Sequence, residues 1–175
     1  MMPATMKLDV IQSNDATWYA AGLQFTCQQC GNCCTGGPGY VWISDEEIER
    51  LAEYLKLSQT ETIEKYCRRI NGRLSLKEVR RGALYDCVFL TEEKVESSNG
   101  DRVVHTRRGC SIYSVRPLQC RTWPFWDGNL ASASAWKRAG KNCHGMDRGR
   151  AFTREQIDKL RDAQDWPENA PTSEK

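Results

Sequence analysis

FTCQQCGNCCTGGPG, residues 25–39, places four cysteines within eight positions, two of them adjacent. Disulfides, metal ligation, redox chemistry and nucleophilic catalysis all use cysteine, so the rest of the chain must choose among them. Five more follow at positions 67, 87, 110, 120 and 143, giving nine, an odd number that a closed disulfide framework cannot use completely. The segment MMPATMKLDVIQSNDATWYAAGLQF shows no basic region leading into a sustained apolar run and cleavage site. No stretch approaches the roughly 20 apolar residues of a membrane span. These features predict a cytoplasmic protein with no membrane partner. In that compartment thiols stay reduced and dense cysteine reads as metal ligation.

The 175 residues are enough for one domain with a real core. Hydrophobic residues make up 39% and charged residues 27%, which predicts a folded, soluble chain. The formal charge of +2 counts each cysteine as a neutral thiol. With eight thiolates around two dications it would become about −2. Neither value suits a nucleic-acid partner, and no base-reading helix is recognisable.

Working outward from the cysteine knuckle, Gly36-Gly37-Pro38-Gly39 lacks the following Gly-Lys-Ser/Thr of a phosphate loop and reads as a turn leaving the knuckle. Ser44 with Glu47 forms a capping box, Ile43 can staple onto Ile48, and Ile48, Leu51, Ala52 and Leu55 share one helical face. Ser58 with Glu61 opens a second helix, whose stripe is expected to carry Ile63, Tyr66, Cys67 and Ile70. Thr153 with Gln156, and Phe152 against Ile157, mark a last helix ending before Pro167. Between them CVFL (87–90) and RVVHT (102–106) read as short strands, with Asn99-Gly100 as their turn. Residues 131–139 read as a short helix closed by Gly140. The expectation is a small, helix-rich α+β single domain with short strands and irregular cysteine-bearing loops organised around metal. A lead-in (1–22) precedes the cysteine-cluster domain (23–166), and a polar tail (167–175) follows; Trp18 and Tyr19 are candidates for docking.

Cys67, on the expected helical stripe, reads as core filler, because a free cysteine packs like a small hydrophobe. The other eight, Cys27, Cys30, Cys33, Cys34, Cys87, Cys110, Cys120 and Cys143, sit beside turns or at element ends. There the backbone can wrap an ion without breaking helix or sheet bonds. Eight is two sets of four, the ligand count of a tetrahedral zinc site or an iron–sulfur cluster. Cys27-x2-Cys30-x2-Cys33 matches the first three ligands of a bacterial ferredoxin run, but Cys34 and the Cys120-Arg121 pair break that pattern. Adjacent side chains are expected to diverge, so Cys33 and Cys34 read as ligands of different irons or different metals and not of one tetrahedral ion. Zinc and an iron–sulfur cluster both stay open.

The chain resembles the YkgJ-type cysteine-cluster family, also called the CxxCxxCC family, of zinc- or iron-chelating proteins. The resemblance runs through F-x-C-x-x-C-G-x-C-C (Phe25 to Cys34), C-V-F-L (Cys87 to Leu90), C-x-I-Y-x-x-R-P-x-Q-C-R (Cys110 to Arg121), W-P-F-W, and Cys143 with Gly145. It implies a zinc or iron–sulfur cofactor with a structural or redox role. The family is similar to flagellin lysine N-methylases, which implies as the alternative a protein-modifying enzyme with a protein partner as substrate. No glycine-rich nucleotide-binding unit follows a strand, and the C-x3-C-x2-C spacing of radical enzymes is absent.

Arg116 and Arg121, inside the RPLQCR motif, are candidate partners of the thiolate centre, where guanidinium groups would offset negative charge and tune the sulfurs. Arg107 and Arg108 divide evenly between that role and solvated surface. Trp123, Pro124, Phe125 and Trp126 read as packing that also shields the centre. His144 is an alternative ligand to Cys143, while His105 and Tyr113 read as ordinary strand and packing residues.

Overall fold

The computed structural model describes residues 17–96 and 104–163. Helix α1 (Asp45–Leu55) starts where both halves of the Ser44/Glu47 capping box are made, and α2 (Gln59–Tyr66) starts on the equivalent Ser58/Glu61 box. Ile43 and Ile48 bury together with Leu51, so the staple and the apolar face coincide.

The second helical stripe does not continue to Ile70. At Cys67 the backbone turns extended, and β3 (Cys67–Ile70) pairs with β4 (Arg73–Leu76) in a hairpin. Asn71 and Gly72, at φ 48° and 83°, form the two-residue turn whose twist matches paired strands. The Asn-Gly signal thus outcompetes the helical period. Cys67 is buried nonetheless, now on a strand.

Strands β1 (Leu23–Phe25) and β2 (Thr35–Gly36) flank the cysteine knuckle. β5 (Glu78–Arg81) and β6 (Leu84–Cys87) extend β2 into a three-stranded antiparallel sheet in the order β2-β6-β5. CVFL is therefore not one strand. β6 ends at Cys87, and β7 (Leu90–Glu96) begins after Val88 and Phe89. β7 pairs with β8 (Val104–Cys110), where Glu92 faces Arg108 and Glu93 faces Arg107, opposite charges across the ladder. The Asn99-Gly100 turn lies outside the described residues.

A one-turn helix α3 (Leu118–Thr122) carries Cys120 within it, whereas the sequence predicts a position beside a turn or at an element end. Helices α4 (Asp127–Leu130) and α5 (Ala133–Gly140) follow, the latter opening on Ser132 and retaining Gly140 as its last residue. β9 (Met146–Phe152) then returns to pair with β1, and α6 (Arg154–Asp162) starts on the Thr153/Gln156 box with Ile157 fully buried. Trp18 and Tyr19 are docked: the Trp18 indole donates to the Leu130 carbonyl, and the Tyr19 hydroxyl donates to Asp158. The polar tail, Pro167 and the first 16 residues lie outside the described residues.

Two apolar clusters result. One gathers Ile43, Ile48, Leu51, Cys67, Leu74, Leu76, Phe89 and Ile112; the other gathers Tyr19, Phe125, Leu130, Trp136, Met146 and Ile157. The chain is thus a small mixed α+β domain, with strands more numerous than expected. Among the described residues no helix is long and apolar enough to cross a membrane.

Candidate metal centre

Between the two apolar clusters lies a cavity of about 530 Å³. Cys27, Cys30, Cys33, Cys34, Cys87, Cys110, Cys120 and Cys143 all line it, and Cys67 does not. Leu76 and Ile112 come to its wall from the first cluster, Phe25 and Ala139 from the surroundings of the second.

Local structure explains each placement. Gln29 is left-handed (φ 52°), and its N–H donates to Cys27 Sγ at 3.4 Å. Phe89 N–H and Ile112 N–H make the same two-residue-on contact with Cys87 and Cys110. At each of these three cysteines a backbone N–H two residues on acts on the sulfur and favours its thiolate. Gly31 adopts φ 70°, a left-handed backbone that favours glycine, and a Cβ there would meet Leu90 Cδ1 at 2.7 Å where the knuckle closes onto β7. The turn Asn32–Cys34 then brings Cys33 Sγ and Cys34 Sγ to 3.9 Å. The expected divergence of these neighbours is thereby overturned. Two thiolates on one tetrahedral ion, with bonds of about 2.3 Å, lie roughly 3.8 Å apart.

Cys120 is held by its neighbours. Glu47 Oε1 accepts from Leu118 N–H at 2.6 Å, and Gln119 bridges Tyr40 O (3.1 Å) and Trp42 N–H (2.8 Å). Cys143 Sγ accepts from the Trp123 indole N–H at 3.3 Å. A Cβ on Gly145 would run into the Thr26 carbonyl, so the Cys143 loop lies directly on the strand leading to Cys27.

The two RPLQCR arginines part ways. Arg116 lines the cavity, its guanidinium 3.8 Å from the Tyr113 ring centroid. Arg121 instead reaches Glu47 Oε1 at 3.2 Å and the Arg116 carbonyl at 2.9 Å. His144 is exposed and does not line the cavity. Arg108 pairs with Glu92, and the His105 side chain lies outside what is described.

The thiols feel one another. A hydrogen bond from Cys34 is the main cause holding Cys33 down to about 7, and the same holds for Cys110. The Arg116 charge lowers both further. Cys34 is raised because its proton is shared first with Cys110 and then with Cys33. Burial pushes Cys87 up to about 11, helped by charge on Cys110 and Cys33. Burial also raises Cys120, helped by charge on Cys87, Cys33 and Cys110. Charge on one of these thiols therefore opposes ionisation of its neighbours, and a bound cation would invert that logic.

The donor chemistry fits zinc or iron: soft sulfur ligands, N–H groups aimed at them, and a guanidinium in the wall. Among the described residues no group of three or more His, Cys, Asp or Glu side chains is drawn tightly enough to hold an ion as it stands. Sequence reasoning missed Glu47 and Gln119 as organisers of the centre. Glu47 was visible only as a capping residue, and Gln119 carried no signal of its partners 77 and 79 residues away.

Cys67 supplies a control. Its thiol is 4% exposed among Leu74, Leu76 and Phe89, with its pKa pushed up to about 11 by burial. We expect Cys67→Ala to lower stability by about 1–2 kcal/mol while metal content, measured by elemental analysis, stays that of the parent.

A family model described as "CxxCxxCC: Putative zinc- or iron-chelating domain" matches residues 26–144. An uncharacterized protein of Methanocaldococcus jannaschii is 31% identical over 108 residues, covering 61% of this chain and 48% of the relative. The chain thus spans about half the length of the curated relative it matches. No solved structure matches the chain.

Proposed function

We propose, for a chain that belongs to the CxxCxxCC family of zinc- or iron-chelating domains, that the eight cavity cysteines ligate more than one zinc or iron ion. The observation carrying this reading is that eight of nine cysteines face one cavity while the ninth packs in a core. A closed tetrahedral site uses four thiolates, so eight donors exceed what one ion takes. They suit either two ions or an iron–sulfur cluster with a neighbouring ion.

The metal, when bound, supplies positive charge that lets the thiols ionise together. The chain's own residues do the rest. Gln29, Phe89 and Ile112 direct N–H groups at sulfur, Trp123 holds Cys143, and Arg116 offsets residual negative charge. Because the ligands come from segments packed on both apolar clusters, ligation would also fasten the two clusters together. The role is structural in the first instance; redox function would follow only from an iron–sulfur centre.

Anaerobic purification with metal and inorganic-sulfide analysis is the test. We expect two or more equivalents of zinc or iron per chain, with sulfide present only if a cluster is. A chain that stays folded, metal-free, and unable to take up zinc or iron(II) would overturn the reading.

A further inference from the structure

The cavity is larger than metal ions require. Two ions with bonds of about 2.3 Å enclose on the order of 100 Å³, whereas the space measures about 530 Å³, within the range of small-molecule pockets. The surplus has walls of its own. One stretch of the lining carries no cysteine and comes from α4, from α5, and from the Trp123 to Trp126 segment that joins α3 to α4.

Helical spacing makes α5 one wall of this lobe. Ala135, Arg138 and Ala139 line the cavity from positions i, i+3 and i+4 of a single face. The Asn142 N–H donates to Ala139 O at 3.2 Å and carries that face one turn further, to Cys143. Trp136, the bulky residue of α5, is buried in the second apolar cluster, so small side chains leave the cavity face open. From α4 come Gly128 and Asn129, and a Cβ on Gly128 would meet nothing within 4 Å. Trp123 and Trp126, both half-buried, stand edge to face with ring centroids 4.8 Å apart. Their indole N–H groups are already committed, to Cys143 Sγ at 3.3 Å and to Gln119 O at 3.0 Å, so they present apolar ring surface to the lobe.

The border of the lobe is cationic. Arg138 is exposed, lies 3.5 Å from Ser134 Oγ and, among the described residues, pairs with no carboxylate. Two acids stand close by in sequence, and both are engaged elsewhere: Asp147 accepts from the Trp136 indole at 2.8 Å, and Asp127 pairs with Arg161 at 3.7 Å. Arg116, the other cation in the lining, stacks on Tyr113 and acts on Cys33 and Cys110, so its charge belongs to the thiol end.

We propose that the lobe between α4 and α5 binds a small aromatic carboxylate, its ring against Trp123 and Trp126 and its charge on Arg138. One guanidinium in the wall matches one negative charge and can hold a carboxylate through two parallel bonds. The inference goes beyond chelation and uses no cysteine, so probe binding and metal content are separate readouts.

The test uses the full chain, purified anaerobically, loaded with zinc and labelled with nitrogen-15. It is titrated with 2-naphthoate and with the neutral 2-naphthylmethanol while the indole N–H resonances are followed. The acid should shift those of Trp123 and Trp126 saturably, with a Kd of about 1 mM or tighter, and leave that of buried Trp42 in place. The alcohol should bind about tenfold more weakly, lacking one charge-assisted contact. Arg138→Gln should erase that preference by weakening the acid alone. Gly128→Leu and Ala139→Leu, which narrow the lobe from α4 and α5, should each weaken both probes at the parent's zinc content. No saturable shift at either indole would overturn the pocket. Equal affinity for acid and alcohol would overturn the charge pairing, and undiminished binding in both narrowed variants would overturn the location. A parent that binds the acid but takes up neither zinc nor iron(II) would instead remove the chelation reading and leave the lobe standing.

Discussion

Stripping metal with a chelator under anaerobic, reducing conditions should lower Tm by roughly 7–20 °C. A structural zinc contributes about 10–16 kcal/mol in small fingers, where it is nearly the whole source of folding. Here two apolar clusters exist without it, so we assign the centre about a third of that figure; in a chain of this size 1 kcal/mol shifts Tm by roughly 2–4 °C. The loss should be local. Helices α1, α2 and α6 rest on buried Ile48, Leu51, Thr62 and Ile157 and should survive. The segment bearing Cys27 to Cys34 should open most, because turns around sulfur lie between its short flanking strands, and the loops at Phe89 and Ile112 should loosen with it. Hydrogen exchange checks this directly: the amides of Gln29, Phe89 and Ile112 should lose protection while those of α1 keep theirs. Equal Tm and equal exchange with and without metal would contradict the prediction.

Glu47→Ala should be the most damaging single change outside the cysteines. Its carboxylate is 7% exposed and does three jobs. Oε2 accepts from Ser44 N–H at 3.1 Å, completing the α1 capping box. Oε1 accepts from Leu118 N–H at 2.6 Å and from Arg121 at 3.2 Å. Truncation leaves the half-buried Leu118 N–H without its charged acceptor and removes one half of a cap. Together these cost about 2–4 kcal/mol. Arg121 is 47% exposed at its side chain and can turn to water, so it adds little. Because Leu118 stands two residues before Cys120, metal retention against a competing chelator should also fall. Glu47→Gln keeps an uncharged acceptor and should cost less than half as much by urea denaturation. An alanine variant as stable as the parent would show that the carboxylate does not organise α3.

The parts of the fold legible in the sequence are those decided within a few residues. Ser44/Glu47, Ser58/Glu61 and Thr153/Gln156 each make both halves of a capping box, and each helix starts where its box says. The period through Ile63, Tyr66 and Ile70 misled because the Asn71-Gly72 turn reverses the chain and recruits Cys67 into a strand. Cys67 is core, but by strand pairing and not by a helical stripe. Pairing of β1 with β9 joins Leu23 to Phe152, a partnership that no local pattern encodes. The same distance problem hid α3, whose register depends on Glu47 and on Tyr40 and Trp42 far upstream. In the candidate centre, cysteine density and element ends singled out the eight residues that line the cavity. Their grouping was not legible, because it depends on which strands lie side by side.

Metal-edge X-ray absorption on the anaerobically loaded chain tests chelation by these cysteines most directly. Sulfur-only or sulfur-dominated shells at about 2.3 Å are expected for zinc and iron alike, in the parent and in Cys67→Ala. A first shell of nitrogen and oxygen, with sulfur absent, would contradict the assignment of the cavity thiols as ligands.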